Sequence, residues 1–385
     1  MEQTKKLTLF EAASIIAGLG VGGGVMAVPY LASLNGMIPF VAIMLLAYLV
    51  SLLLHLMITE IVMRDGGEYQ LVELLGKYLF PQRPALRRVF LWIFFGLIVF
   101  SFYALLAGYI AGAGEILVSL TGLPFWAGNI IFYGVAAGVV FFGLKVMGLS
   151  EKYAIAAAAL ILAVLSCATI AKPAAPVSLF TGGGKEMLAL FGMIMFCFAS
   201  FFSIPQAREG LYWRKSLLPW AVVLGLGINF CFTFVVTLMA QLASPEVTEM
   251  AIIGWGGAIG QWASLTGSIF VFLAILTSYW ATSYALTTII VERMGWGYRP
   301  SWLLATAPTL ILAVSGLTGF LGFMRLAGGA IAVLVALLII PALRTSRHTA
   351  PQGLFSTGRW GDLAGQLFIA AAYILAAIGS LIAIK

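Results

Sequence analysis

Ionisable residues are scarce in this chain. Of 385 residues only 9% are charged, two are histidine and three are cysteine, where an ordinary soluble protein carries about 25% charged residues. A folded domain of this length needs more polar surface than that to stay in water, so a soluble protein with a single anchor is excluded. The cysteines Cys167, Cys197 and Cys231 lie inside apolar runs without metal-ligand spacing and read as small core residues, which leaves no disulfide framework and no metal cluster. His, Asp, Glu and Cys do not gather at any shared depth, so an enzyme active site within the membrane lacks its raw material. No G-x-x-x-x-G-K-[ST] run occurs, and ATP is therefore not the direct energy source.

What the chain has in quantity is hydrocarbon, at 62% apolar residues. A lipid-spanning helix needs about 20 mainly apolar residues. Eleven stretches meet that need, at 8–34, 37–63, 88–119, 124–146, 152–171, 186–207, 216–242, 263–291, 301–317, 320–343 and 359–384. The formal charge of +7 is dispersed into short gaps between these runs and concentrates in alternate gaps, which predicts a cytoplasmic N-terminus and an external C-terminus and argues against a nucleic-acid face. Lys5 and Lys6 precede an apolar stretch as in a signal peptide, but Glu11 and a glycine run interrupt it, so the segment reads as mature chain. Between spans, Glu68 to Phe80 predicts an amphipathic helix lying at the inner interface, and Ser244 to Gln261 an outer lid that partly re-enters.

The first span carries Gly18, Gly20, Gly22, Gly23 and Gly24 within seven positions. Each glycine costs a helix about 1 kcal/mol relative to alanine, so the helix is expected to open there. An opening in mid-membrane is tolerable only where it lines a polar cavity; the alternative is close helix packing through small residues. Inverted-repeat transporters place a second break at the matching position of the second half. In the sixth span Ala199, Ser200 and Ser203 followed by Pro205 supply a weaker signal, equally compatible with a plain proline kink.

IIAGLGVGGGVMAVP (15–29) resembles the first-helix signature of the hydroxy and aromatic amino-acid permeases, a bacterial branch of the amino-acid/polyamine/organocation superfamily. YALLAGYIAGAGEIL (103–117) and AILTSYWATSYAL (274–286) are similar to the third and eighth helices of that family. The sixth span departs from it, with Ser200, Phe201 and Phe202 where a glycine, histidine, glycine pattern is usual.

The resemblance implies an all-α integral membrane protein of eleven transmembrane helices, a five-plus-five inverted repeat of the leucine-transporter type with helices 1 and 6 broken. The first repeat would occupy residues 1–171, the second 186–343, and an additional helix 359–384. It further implies that the backbone of Gly20, Gly22, Gly23 and Gly24 holds the carboxylate and ammonium of an amino acid. Phe196, Phe198, Ser200, Phe201 and Phe202 would shape the side-chain pocket, and Tyr109 would cover the carboxylate. Core packing is the competing role for Tyr109 and each phenylalanine. Gly18, Val21 and Ala274 carbonyls with the Thr277 and Ser278 hydroxyls would form a cation site, although hydroxyls in membrane helices also bond back to their own helix. Na⁺ and H⁺ both remain open as coupling ion; no other cofactor is implied.

Ionisable residues inside spans are functional suspects. Glu60 reads as structural, paired with Arg64 one turn away, and His55 as a packing residue with a proton relay as the alternative. Glu115 and Arg325 fall about one turn inside the outer face, where they either pair as an outer gate or snorkel separately. Glu292 would close the inner side against Lys5 or Lys6, with Arg293 as the simpler partner.

Together these features predict a cation-coupled secondary transporter in a bacterial inner membrane, importing a neutral amino acid, aromatic or large apolar favoured. The alternatives are a serine, threonine or alanine symporter, and a sensor or channel of the same fold.

Overall fold

A computed structural model describes residues 5–66, 69–244, 246–247, 251–319, 323, 330–350 and 354–382. Among them the chain is helical, without strands. The helices are α1 (Leu9–Val21), α2 (Gly23–Asn35), α3 (Met37–Asp65), α4 (Leu71–Leu79), α5 (Pro84–Thr121), α6 (Phe125–Phe141), α7 (Leu144–Ile170) and α8 (Gly184–Cys197). They continue as α9 (Ser203–Gly210), α10 (Leu218–Ala243), α11 (Ala251–Ile259), α12 (Gln261–Met294), α13 (Tyr298–Val314), α14 (Ala330–Thr349) and α15 (Leu363–Ser380).

Seven described helices are long and apolar enough to cross a membrane, and α1 with α2 forms a further, broken span. The expected fourth, sixth and ninth spans correspond to the shorter α6, the α8 and α9 pair, and α13. Apolar side chains such as Leu49, Ile93, Phe100, Leu160 and Ile311 point outward, as a lipid-facing surface requires. Cys167 and Cys231 lie on that outer surface and only Cys197 is buried, which corrects their reading as core residues.

Local signals set the ends of these elements. Thr8 and Glu11 form a reciprocal cap at the start of α1, with the Glu11 N–H donating to Thr8 Oγ1 and the Thr8 N–H to Glu11 Oε2. Pro84 opens α5, where its missing N–H costs nothing. Gly122 closes α5 and Gly295 closes α12 with φ of +71° and +68°, backbone that a side chain would strain.

The largest departure from the expected spans concerns α7. Lys145, Glu151 and Lys152 predict a connection before a span at 152, but the helix begins at Leu144 and carries all three. Lys145 pairs with Glu11 at 2.7 Å, and Glu151 is fully buried. Charges taken into the protein, paired like Lys145 or buried like Glu151, do not end a helix; charges left in lipid would.

α12 is the central helix, with 83% of its apolar window buried against 33–50% in the other long helices. It packs on α1, α5, α7 and α13. α1 lies against α10 at van der Waals limits: a methyl on Gly225 would stand 2.7 Å from the Ala13 carbonyl oxygen, the close backbone approach that small residues permit in membranes.

α4 does form within 68–80, but its Leu71, Val72, Leu74, Leu75 and Tyr78 are buried against α5 and α14 rather than laid on lipid. α11 packs on α10 and α12, and its Trp255 Nε1 donates to Thr169 Oγ1 at 2.7 Å. The outer segment is therefore pinned to α7.

Candidate substrate and cation sites at the helix breaks

The first break falls at Gly22, whose ψ of −140° lies outside the helical region, and the axis turns by 55° between α1 and α2. The second falls between Cys197 and Ser203, where Phe198 to Phe202 form turns with Ser200 N–H donating to the Phe198 carbonyl at 2.8 Å. No glycine is needed there: short turn hydrogen bonds stand in for the lost helical ones, and Asn229 Nδ2 on α10 donates to the Cys197 carbonyl at 2.5 Å. Asn229 had no sequence signal beyond being a polar residue inside an apolar span.

The two breaks meet. α2 packs on α8 and α1 on α9. A methyl on Gly20 would stand 2.8 Å from Ser200 Oγ, and one on Gly24 3.4 Å from the Cys197 Cα. Glycine is required at these positions for contact between the breaks as well as for opening the helix.

A cavity lies beside this junction. Gly20, Gly22, Gly24, Tyr109, Phe196, Phe201 and Phe202 line it. Two other described residues expected there, Phe198 and Ser200, do not. Phe198 turns toward α3 and packs edge-on against Tyr48, with centroids 5.8 Å apart, at the point where α8 gives way to turns. Ser200 directs its hydroxyl at Gly20, and that hydroxyl has no hydrogen-bond partner. Gly23 contributes backbone to the first turn of α2.

The structure adds walls that sequence reasoning missed: Ser101, Phe102 and Leu105 from α5, and Ile331 and Ala332 from α14. Phe102 meets Phe202 edge to face at 5.0 Å. No sequence signal marked these walls.

On the other side of α1, Ser278 Oγ donates to the Gly18 carbonyl at 2.6 Å and Thr277 Oγ1 to the Ala274 carbonyl at 3.0 Å. Four of the five expected cation ligands are thus joined by hydrogen bonds among themselves, and Val21 ends the helix nearby. A methyl on Gly22 would stand 2.5 Å from Ser278 Oγ and 2.9 Å from Tyr109 Oη. The hydroxyls of α12 and α5 therefore converge on the break.

The suspected gates fare differently. Arg325 lies outside the described residues. Glu115 on α5 reaches the segment leading to the tenth span, with Oε1 3.5 Å from where a methyl on Gly319 would be. Glu292 does not meet Lys5 or Lys6: it accepts from the Gln70 N–H at 3.1 Å. Lys5 pairs with Glu209 on α9, Lys6 lies over Trp213 at 4.8 Å, and Arg293 pairs with Glu73 at 2.8 Å. The N-terminal segment is instead fixed to the end of α9, where the Leu7 N–H donates to the Gly210 carbonyl at 2.9 Å and Trp213 Nε1 to the Leu7 carbonyl at 2.9 Å.

Glu60 belongs to a larger network than its Arg64 pair. It also accepts from Arg347 Nε at 2.8 Å and from the Thr357 N–H at 2.8 Å. His55 bonds the Ser51 carbonyl through Nδ1 at 2.6 Å, and its Nε2 has no partner.

Two interrupted helices crossing beside a cavity, around a buried central helix, define a membrane transporter fold of the leucine-transporter type. Solved structures agree on the fold. Over 98% of this chain and 99% of the other, it is similar to MhsT in complex with L-phenylalanine, at 15% identity and a TM-score of 0.68. Over 98% of this chain and 91% of the other, it is similar to Mhp1, a nucleobase-cation-symport-1 family transporter in a closed conformation with bromovinylhydantoin bound, at 13% identity and a TM-score of 0.66. The profile of the tryptophan/tyrosine permease family matches residues 5–379, and the chain belongs to that family. No curated protein sequence gives a significant match.

Proposed function

We propose that the chain imports a neutral amino acid with an aromatic or large apolar side chain, coupled to a cation gradient, by alternating access. The observation that carries this reading is the cavity at the crossing of the two breaks, with Gly20, Gly22 and Gly24 on one wall and Phe102, Phe196, Phe201 and Phe202 on others. The N–H groups of Gly23 and Gly24 open α2 at a positive helix end, so they suit a carboxylate. Free carbonyls at the end of α1 suit the ammonium. An aromatic ring stacks edge-on against phenylalanines at a gain of about 0.5–1.5 kcal/mol per pair beyond its area.

Permease family membership and the likeness to a phenylalanine-bound transporter support the same substrate class. The coupling cation belongs on the far side of α1, near Gly18 and Ser278. The two repeats would be residues 1–171 and 186–343, with the N-terminus in the cytoplasm and the C-terminus outside a bacterial inner membrane.

Uptake of a panel of labelled amino acids into proteoliposomes tests the reading. Tryptophan, tyrosine and phenylalanine should accumulate and compete with one another, while serine and alanine should not. Preferential uptake of serine or alanine would show that the phenylalanines fill the pocket and restrict it.

A further inference from the structure

Glu151, on the second turn of α7, has 0% of its surface exposed, and neither carboxylate oxygen has a hydrogen-bond partner. An acid in that condition needs an explanation, because an uncompensated buried charge is strongly unfavourable. No charged group on the helices packed against α7 pairs with it. On α1, Glu11 is paired with Lys145. On α9, Glu209 is paired with Lys5 and Arg208 donates to the Gly66 carbonyl. At the far end of α12, fourteen and fifteen residues beyond Ser278, Glu292 accepts from the Gln70 N–H and Arg293 pairs with Glu73; the other titratable groups on helices packed against α7, Tyr279 and Tyr284 of α12, Cys231 of α10 and Tyr133 of α6, carry no positive charge.

Its surroundings are specific. The carboxyl lies flat against Gly18: a methyl there would stand 2.9 Å from Cδ and 3.0 Å from Oε1. The Gly18 carbonyl accepts from Ser278, and Ser278 with Tyr109 closes on Gly22, which lines the substrate cavity. A change of charge at Glu151 is therefore two contacts from the backbone that would hold the amino acid.

We propose that Glu151 is the anionic ligand of the coupling cation, a proton or Na⁺ taken onto its carboxylate beside Gly18. The inference rests on the cation-coupled reading above. Either cation neutralises the buried carboxylate. A proton bonds to one oxygen and leaves the Ser278 and Thr277 hydrogen bonds in place, whereas Na⁺ would draw those hydroxyl oxygens toward itself as ligands. Occupancy removes the charge that opposes closure of α7 on α1, and the junction then transmits the closed packing to the first break.

The test is uphill uptake of labelled tryptophan, tyrosine or phenylalanine into proteoliposomes, under an imposed pH gradient and separately under a Na⁺ gradient. The wild type should concentrate substrate under one of the two, which identifies the cation. Glu151→Gln, judged folded by a monodisperse elution and a melting temperature at or above wild type, should lose at least tenfold in accumulation under that gradient. Glu151→Asp, which keeps a carboxylate, should recover part of it with a shifted half-saturating pH or Na⁺ concentration. Wild-type accumulation under neither gradient would end the coupled-transport reading together with this inference. Undiminished accumulation by folded Glu151→Gln would end the inference alone. If Glu151→Gln does not fold, an unaltered half-saturating value in Glu151→Asp does the same.

Discussion

Glu60 and Glu151 are both fully buried acids in long membrane helices, yet their surroundings are opposite. Glu60 on α3 accepts from Arg64, Arg347 and Thr357 and joins α3 to α14 and to the segment before α15. Glu151 on α7 accepts from nothing. The first acid is a staple, and the second has a vacancy in its charge balance that a mobile cation can fill. Burial alone therefore does not mark a functional acid in a membrane protein; the state of its oxygens does.

The sharpest way to break this contrast is stability. Glu60→Ala strands the buried part of Arg347 and should cost about 3–5 kcal/mol, as removal of one partner from a buried ion pair does, seen as a large drop in Tm in detergent. Glu151→Gln should leave Tm unchanged or raise it, because it removes an unpartnered charge. Equal destabilisation by the two substitutions would erase the distinction.

The two breaks offer a second contrast, glycine-built against turn-built. Gly20→Ala puts a methyl between Cys197, Ser200 and Asn229 and should cost about 1–3 kcal/mol by overpacking, with uptake reduced at least tenfold. Asn229→Ala removes the donor that caps α8 at Cys197 and should cost about 1–3 kcal/mol, measured as lower Tm with a raised KM. The smallest effect is expected at the pocket wall. Phe202→Leu removes one edge-to-face pair with Phe102, worth about 0.5–1.5 kcal/mol, and should change the ratio of KM values for tryptophan and phenylalanine a few-fold while Tm stays near wild type.

Much of the site was legible where residue type alone forces the backbone. Five glycines within seven positions predict an open helix, and α1 ends at Val21 with Gly22 outside helical geometry. Tyr109 and three of the phenylalanines reach the cavity, but Phe198 does not, since which way a ring turns at a helix end depends on the neighbour that receives it, here Tyr48 of α3. Phe102 and Ile331 could not be found from spacing, because only packing decides which face of α5 or α14 meets the breaks. Glu292 was misassigned for the same reason: Lys5, Lys6 and Arg293 each find another partner, and Glu292 accepts from the Gln70 N–H.

The sequence by itself determined that the chain lies in lipid and that its first span opens, because hydrocarbon content and glycine density act locally and through the solvent. Only the tertiary structure decided what each charge is for. Glu151 and Lys152 read alike as the charged edge of a span, and the helix that grows past them buries the acid against Gly18. Whether a carboxylate is satisfied depends on atoms distant in the chain, and in a low-dielectric interior that satisfaction fixes its role.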